Sequence, residues 1–183
     1  MEQLLDQAET LLQGVSQSHH ISTLVILYRL RDLAEVLDNL NLYDECRLAG
    51  NCALGLVAAL GQWSLEFKHE QADTLAHIAG LSSYQPTARI LFIQAVTICQ
   101  EMAANDTSYS KKLARLRVLG RAGYWAVDHP ELGAQWLEHA VHLMTKELPS
   151  AMVTAHFCGS IYHLYGIYLW KPGVIMYRSR YSA

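Results

Sequence analysis

Residues 72–95 contain Ala72-Asp73-Thr74-Leu75-Ala76-His77-Ile78-Ala79 and, nine residues on from Ala79, Ala88-Arg89-Ile90-Leu91-Phe92-Ile93-Gln94-Ala95. In the first stretch the apolar residues Ala72, Leu75, Ala76 and Ala79 fall on one face of a helix. In the second, Ala88, Phe92 and Ala95 do the same. Pro86 stands between them, where a new helix begins and its missing N–H costs nothing. Two short helices with a brief break form a helical hairpin. The same spacing occurs on both sides. Leu30-x2-Leu33-Ala34-x2-Leu37 is followed by Cys46-x3-Gly50-x2-Ala53, and Leu116-x2-Leu119-Gly120-x2-Gly123 by Gly133-x3-Leu137-x2-Ala140. The central Leu recurs at 33, 75 and 119, and the last small residue at 53, 95 and 140.

These three copies resemble tetratricopeptide repeats, whose signature is W-x2-L-G-x2-Y, then A-x3-F, over about 34 residues. In that pattern small residues sit where the two helices of a hairpin approach closely, and large apolar ones fill the groove of the next hairpin. The intervals here, 42 and 44–45 residues, are longer. They are similar to the long-period repeats of kinesin light chains and of fungal tetratricopeptide-like proteins. The resemblance implies an all-α fold, a right-handed superhelix of antiparallel helical hairpins with about seven to eight helices. The chain departs from the signature at three points. No copy has Trp first, none closes on Pro, and Gly123 stands where an aromatic is usual.

The flanks fit the same frame. Leu4, Ala8 and Leu11 lie 42 residues before Cys46, Gly50 and Ala53, as the second half of a preceding repeat. Tyr162-x2-Tyr165-Gly166-x2-Leu169 opens a fourth copy. Residues 1–170 therefore read as one repeat domain, and Lys171-Pro172-Gly173 begins an irregular tail, 171–183. An alternative register for the first copy starts its signature at Leu37-Asp38-Asn39-Leu40; the gapless register is preferred. HEAT and armadillo repeats share the period but not the Ala88-x3-Phe92-x2-Ala95 spacing. A plain helical bundle is the other all-α alternative.

Composition narrows the class. The 183 residues carry 51% hydrophobic and 17% charged side chains, with a net charge of −3. That supports a packed core and gives no electrostatic reason for nucleic-acid or anionic-membrane binding. Met1–Asp6 lacks the basic and apolar regions of a signal peptide. The uncharged run from Phe157 to Trp170 is shorter than the roughly 20 residues that span a bilayer. Cys46, Cys52, Cys99 and Cys158 form no C-x-x-C pair and read as reduced, mostly buried thiols. The expectation is a soluble, cytoplasmic protein.

Little in the sequence points to chemistry. Nine histidines invite a metal, and His139 and His142 share a helix face beside Glu138, but no tight ligand pairs or H-E-x-x-H occur. Cys46 occupies a packing position, and Gly120-x2-Gly123 belongs to a helix rather than a phosphate loop. Glu66 and Glu70 read as a solvated helix face. Asp44 and Glu45 suit the positive end of a helix dipole. No metal, cofactor or catalytic residue is expected, and the chain reads as a non-enzyme.

The resemblance implies a concave surface lined by the first helix of each hairpin. Carried over by register, the candidates for peptide contact are Arg31, Glu35 and Asp38 in the first copy. Glu70, Asp73 and His77 follow in the second, Arg117, Arg121 and Tyr124 in the third, and His163 in the last half repeat. The graded surface, acidic then basic, implies a protein or peptide partner steered by charge. Chaperone-binding relatives clamp a C-terminal carboxylate with Lys, Asn and Arg, but Glu35 falls at the Asn position. The alternative use of the fold is self-association, or a place within a longer array, through apolar ends: Phe157, Tyr162, Tyr165, Tyr168, Leu169 and Trp170 are expected to be partly exposed.

Overall fold

A computed structural model describes residues 20–63, 67–103, 108–126, 129–148 and 155–170. The leading half repeat at Leu4, Ala8 and Leu11 and the tail 171–183 lie outside them. Among the described residues there are seven α-helices and no strand. They are α1 (His20–Asn39), α2 (Tyr43–Trp63), α3 (Lys68–Ala79), α4 (Gln85–Ala103), α5 (Tyr109–Trp125), α6 (Pro130–His142) and α7 (Ala155–Trp170). The chain is thus all-α with the expected helix count. Among the described residues no helix is long and apolar enough to cross a membrane. The fold divides into two compact units, Met1–Ile98 and Cys99–Ala183.

In the first unit α1 packs on α2, α2 on α3, and α1 on α3. The turn between α1 and α2 is only three residues, so the two helices run antiparallel. Asn41 takes the left-handed conformation, φ 59°. Its N–H bonds to the Asp38 carbonyl at 3.0 Å and that of Leu42 to the Leu37 carbonyl at 2.9 Å, a Schellman cap. Asp44 and Glu45 stand in the first turn of α2 as expected. One apolar cluster joins Leu27 and Leu30 to Ala53, Leu56, Val57 and Leu60. A second joins Ala34, Leu37, Cys46 and Ala49 to Ile78, Leu81 and Tyr84, with Leu91 of α4 against it. Burying each Leu stabilises the fold by about 1.5–3 kcal/mol.

The spacing read from the sequence coincides with burial. Leu30, Ala34, Leu37, Cys46, Gly50 and Ala53 are buried, and Leu33 is half-buried. Ala72, Leu75, Ala76, Ala79, Ala88, Phe92 and Ala95 are all buried. Leu40 is 61% exposed, whereas Leu30 and Leu37 are buried. Gly50 marks a close approach: a Cβ there would meet the Tyr84 hydroxyl at 2.5 Å.

In the second unit α5 packs on α6, α6 on α7, and α5 on α7. Leu116, Leu119, Gly120, Gly123, Gly133, Leu137 and Ala140 are buried. A Cβ on Gly123 would meet Leu137 Cδ2 at 2.5 Å. The missing aromatic at position 123 therefore has a packing cause, since Leu137 of α6 already fills its space. Pro130 is the first residue of α6, and Trp125 stacks on His129 across the α5–α6 connection, ring centroids 5.0 Å apart. Ser108 precedes α5, and its side chain makes no capping bond. After α6 the chain makes a π-helical turn, Leu143–Glu147, closed by the Leu148 N–H on the Leu143 carbonyl at 3.1 Å. Leu148 is extended, as the residue before Pro149 should be. On α7, Ile161 is buried, Tyr162 and Gly166 are exposed and Tyr165 is half-buried. The side chains of Phe157, Tyr168, Leu169 and Trp170 lie outside the described residues.

Candidate functional site

Six of the ten candidate residues meet on one polar seam in the first unit, where α1 lies beside α3. Both helices place the residue after their first buried signature position on this seam: Arg31 after Leu30, Asp73 after Ala72. Arg31 Nη2 lies 3.0 Å from Asp73 Oδ2, and both side chains are about nine-tenths buried, at 9% and 10% exposed. Arg31 Nη1 donates to Thr74 Oγ1 at 3.4 Å, and the guanidinium stands 5.7 Å from the Tyr28 ring centre. One turn on, His77 Nε2 lies 3.4 Å from Glu35 Oε2, with His77 the more buried partner.

The ends of the seam are also bonded. Tyr28 donates to the Glu70 carboxylate; burial and that anion push the Tyr28 hydroxyl up to about 12. Burial pushes Glu70 up as well, but bonds from His69 and Tyr28 outweigh it and hold the carboxyl below its usual range. His69 Nε2 is 3.3 Å from Glu70 Oε1. The reading of Glu70 as part of a solvated face is thereby corrected: the carboxylate is half-buried and bonded on two sides. At the other end Asp38 accepts the Ser82 and Ser83 amides, both at 2.9 Å, and the Ser83 hydroxyl. Burial raises its pKa, and these bonds more than reverse that, so the Asp38 carboxyl sits below its usual value. The Cys46 thiol, 3.9 Å from Asp38, is pushed up by burial. That is the opposite of an activated nucleophile.

The other four candidates belong to the second unit. Arg117 and Tyr124 are exposed on α5, Tyr124 by 70%, and Arg121 is half-buried. His163 is exposed on α7, which packs on α5. The expected grading of charge therefore takes another form. In the first copy Arg31, and in the second Asp73, turn to each other instead of outward, while Arg117 remains accessible.

Tyr28, Thr74 and Ser83, which complete the seam together with His69, were not singled out from the sequence. A signal for part of it was present: Arg31 and Asp73, and Glu35 and His77, are opposite in charge or hydrogen-bonding character at a separation of 42. Cys46, Cys52 and Cys99 form no disulfide. Among the described residues no three His, Cys, Asp or Glu side chains converge as metal ligands would. No family model, curated protein or solved structure matches the chain.

Proposed function

We propose that the chain is a non-catalytic protein–protein interaction scaffold, a tetratricopeptide-like superhelix that docks a peptide segment of a partner. The observation that carries this reading is the 42-residue link from Arg31 to Asp73, with His77 Nε2 set 3.4 Å from Glu35 at the same interval. Both pairs occupy equal positions of successive copies, as they do when hairpins stack in register with their first helices side by side. Stacked hairpins present a preformed surface, so the ordering cost of binding falls mainly on the peptide.

In the second unit, Arg117, Tyr124 and His163 are the accessible candidates, with Arg121 half-buried on α5. Cations next to an exposed aromatic suit an acidic segment carrying an apolar anchor. The test is selection from a displayed library of unstructured peptides on the native chain and on a folded Arg117→Glu, Arg121→Glu variant. Acidic peptides enriched on the native chain and lost on the variant support the reading; the same peptides on both baits oppose it.

A second reading, self-association, is favoured by α7. Tyr162 and Ile167 are 47% and 38% exposed there. A Cβ on Gly166 would meet nothing within 4 Å. Light scattering on the native chain and on Tyr162→Asp decides it: a dimer lost in the variant supports this reading, and a monomer in both removes it.

A further inference from the structure

Two cavities in the chain are lined by corresponding residues. The first, about 530 Å³, lies within the first unit between α2, α3 and α4. The second, about 220 Å³, lies within the second unit between the end of α4, α5, α6 and the π-helical turn. Val57 and Ala58 line the first where Cys99 and Gln100, 42 residues later, line the second. Gln71 and Leu75 correspond to Arg115 and Leu119 at an interval of 44. Gln94, Thr97 and Ile98 correspond to His139, His142 and Leu143 at an interval of 45. These are the intervals of the sequence repeat itself, so the cavity is a product of the repeat. What distinguishes the two is chemistry.

The apolar wall is kept: Cys99, Leu119 and Leu143 are 3%, 4% and 1% exposed. The polar positions change together. Two amides and a hydroxyl, Gln71, Gln94 and Thr97, give way to a guanidinium and two imidazoles. One carboxylate, Glu147, faces the same space. It is balanced by Lys112 at 3.5 Å and His142 Nδ1 at 3.8 Å. Arg115, His139 and the Gln100 amide are the other donors that line the cavity. A guanidinium presents paired N–H groups that match an oxyanion, and an imidazole near its own pKa adds charge to the same spot. The wall carrying Leu143 and Glu147 is the π-helical turn, a distortion that recurs at functional sites. At about 220 Å³ the cavity is large enough for a phosphate or a short carboxylic acid.

We propose that this cavity is a binding site for a small organic oxyanion, carboxylate or phosphate, held by Arg115 and His139 against the Cys99–Leu119–Leu143 wall. The site shares α5 with the peptide face but uses other residues of that helix, and it stands whether or not a peptide docks there.

The experiment titrates the full chain with inorganic phosphate and, separately, with succinate, near the ordinary histidine pKa of about 6.5 and at constant ionic strength. Imidazole, arginine Nε and glutamine side-chain amide resonances are followed by NMR. The expected result is saturable shifts at His139, His142 and Arg115, with Gln71 and Gln94 unmoved. Saturation by phosphate alone assigns a phosphoryl ligand, and by succinate alone a carboxylate; either supports the site. Arg115→Gln, which installs the first cavity's residue, should weaken binding at least tenfold. His139→Gln serves as the second variant if the first does not fold. No saturation by either anion overturns the proposal, as do shifts spread evenly over Arg29 and Arg89 or unchanged affinity in a folded variant.

Discussion

Arg31 on α1 and Asp73 on α3 are 42 residues apart, occupy the same position in successive copies of the repeat, and meet at 3.0 Å with about nine-tenths of each side chain buried. Such a pair fixes how two helices register more than it adds to stability, because the attraction largely offsets the cost of desolvating both charges. Removing one partner leaves the other charged and buried. Arg31→Leu and Asp73→Leu are each expected to cost about 3–5 kcal/mol, while the double replacement recovers most of that loss. Denaturant unfolding of the three variants checks it. Single losses below about 1 kcal/mol would show a pair no stronger than a surface one.

Two helix glycines should respond in opposite directions to alanine. At Gly123 the new methyl would meet Leu137 at 2.5 Å, so Gly123→Ala is expected to cost about 1–3 kcal/mol by overpacking. At Gly166 nothing lies within 4 Å, and Gly166→Ala should stabilise by up to about 1 kcal/mol through helix propensity. Thermal unfolding of both variants is the measurement, and equal signs would contradict the packing described for Leu137.

The fold was legible because burial follows the repeat. Small and large residues at fixed spacing marked Leu30–Ala53, Ala72–Ala95 and Leu116–Ala140 before any coordinate was needed. What spacing alone did not explain was bulk. Leu37, Ala79 and Gly123 end the first-helix signatures, and Gly50, Phe92 and Leu137 stand in the second helices. In the third copy Leu137 covers Gly123, whereas in the first the space over Gly50 is filled by Tyr84. The candidate site was legible only in part. Register put Arg31, Glu35, Asp38, Glu70, Asp73 and His77 near one another, but whether a charge faces solvent or its neighbour depends on how closely α1 approaches α3. That distance is not written in the spacing. The two cavities escaped notice because each is lined from three helices, with no contiguous motif.

Asn41 turns the chain from α1 into α2 at φ 59°. Asn tolerates that conformation and Gly adopts it without strain, whereas Ala is disfavoured by about 1–2 kcal/mol. Asn41→Gly should therefore leave stability nearly unchanged and Asn41→Ala should lower it. Similar midpoints for the two variants in denaturant would argue against the Schellman cap.

Acid should loosen the seam. Asp38 and Glu70 have carboxyls held below their usual values in the folded chain. A depressed folded pKa means stabilisation that is fully present above the unfolded pKa and is lost as pH falls through the folded one. Stability should therefore decline as pH drops below about 4.5. Asp38→Asn and Glu70→Gln are each expected to be less stable near neutrality and to lose less on acidification. Parallel pH profiles for the variants and the native chain would deny these two carboxylates that part.

The central functional claim is peptide docking on the first helices of the hairpins. It is tested most directly by titrating the full chain with an acidic peptide from the display selection and mapping which residues respond by NMR. The account predicts saturable shifts at Arg117, Tyr124 and His163, abolished by Arg117→Glu with Arg121→Glu in a variant that keeps its fold. Shifts centred on other residues, or binding that survives the double reversal, would contradict it.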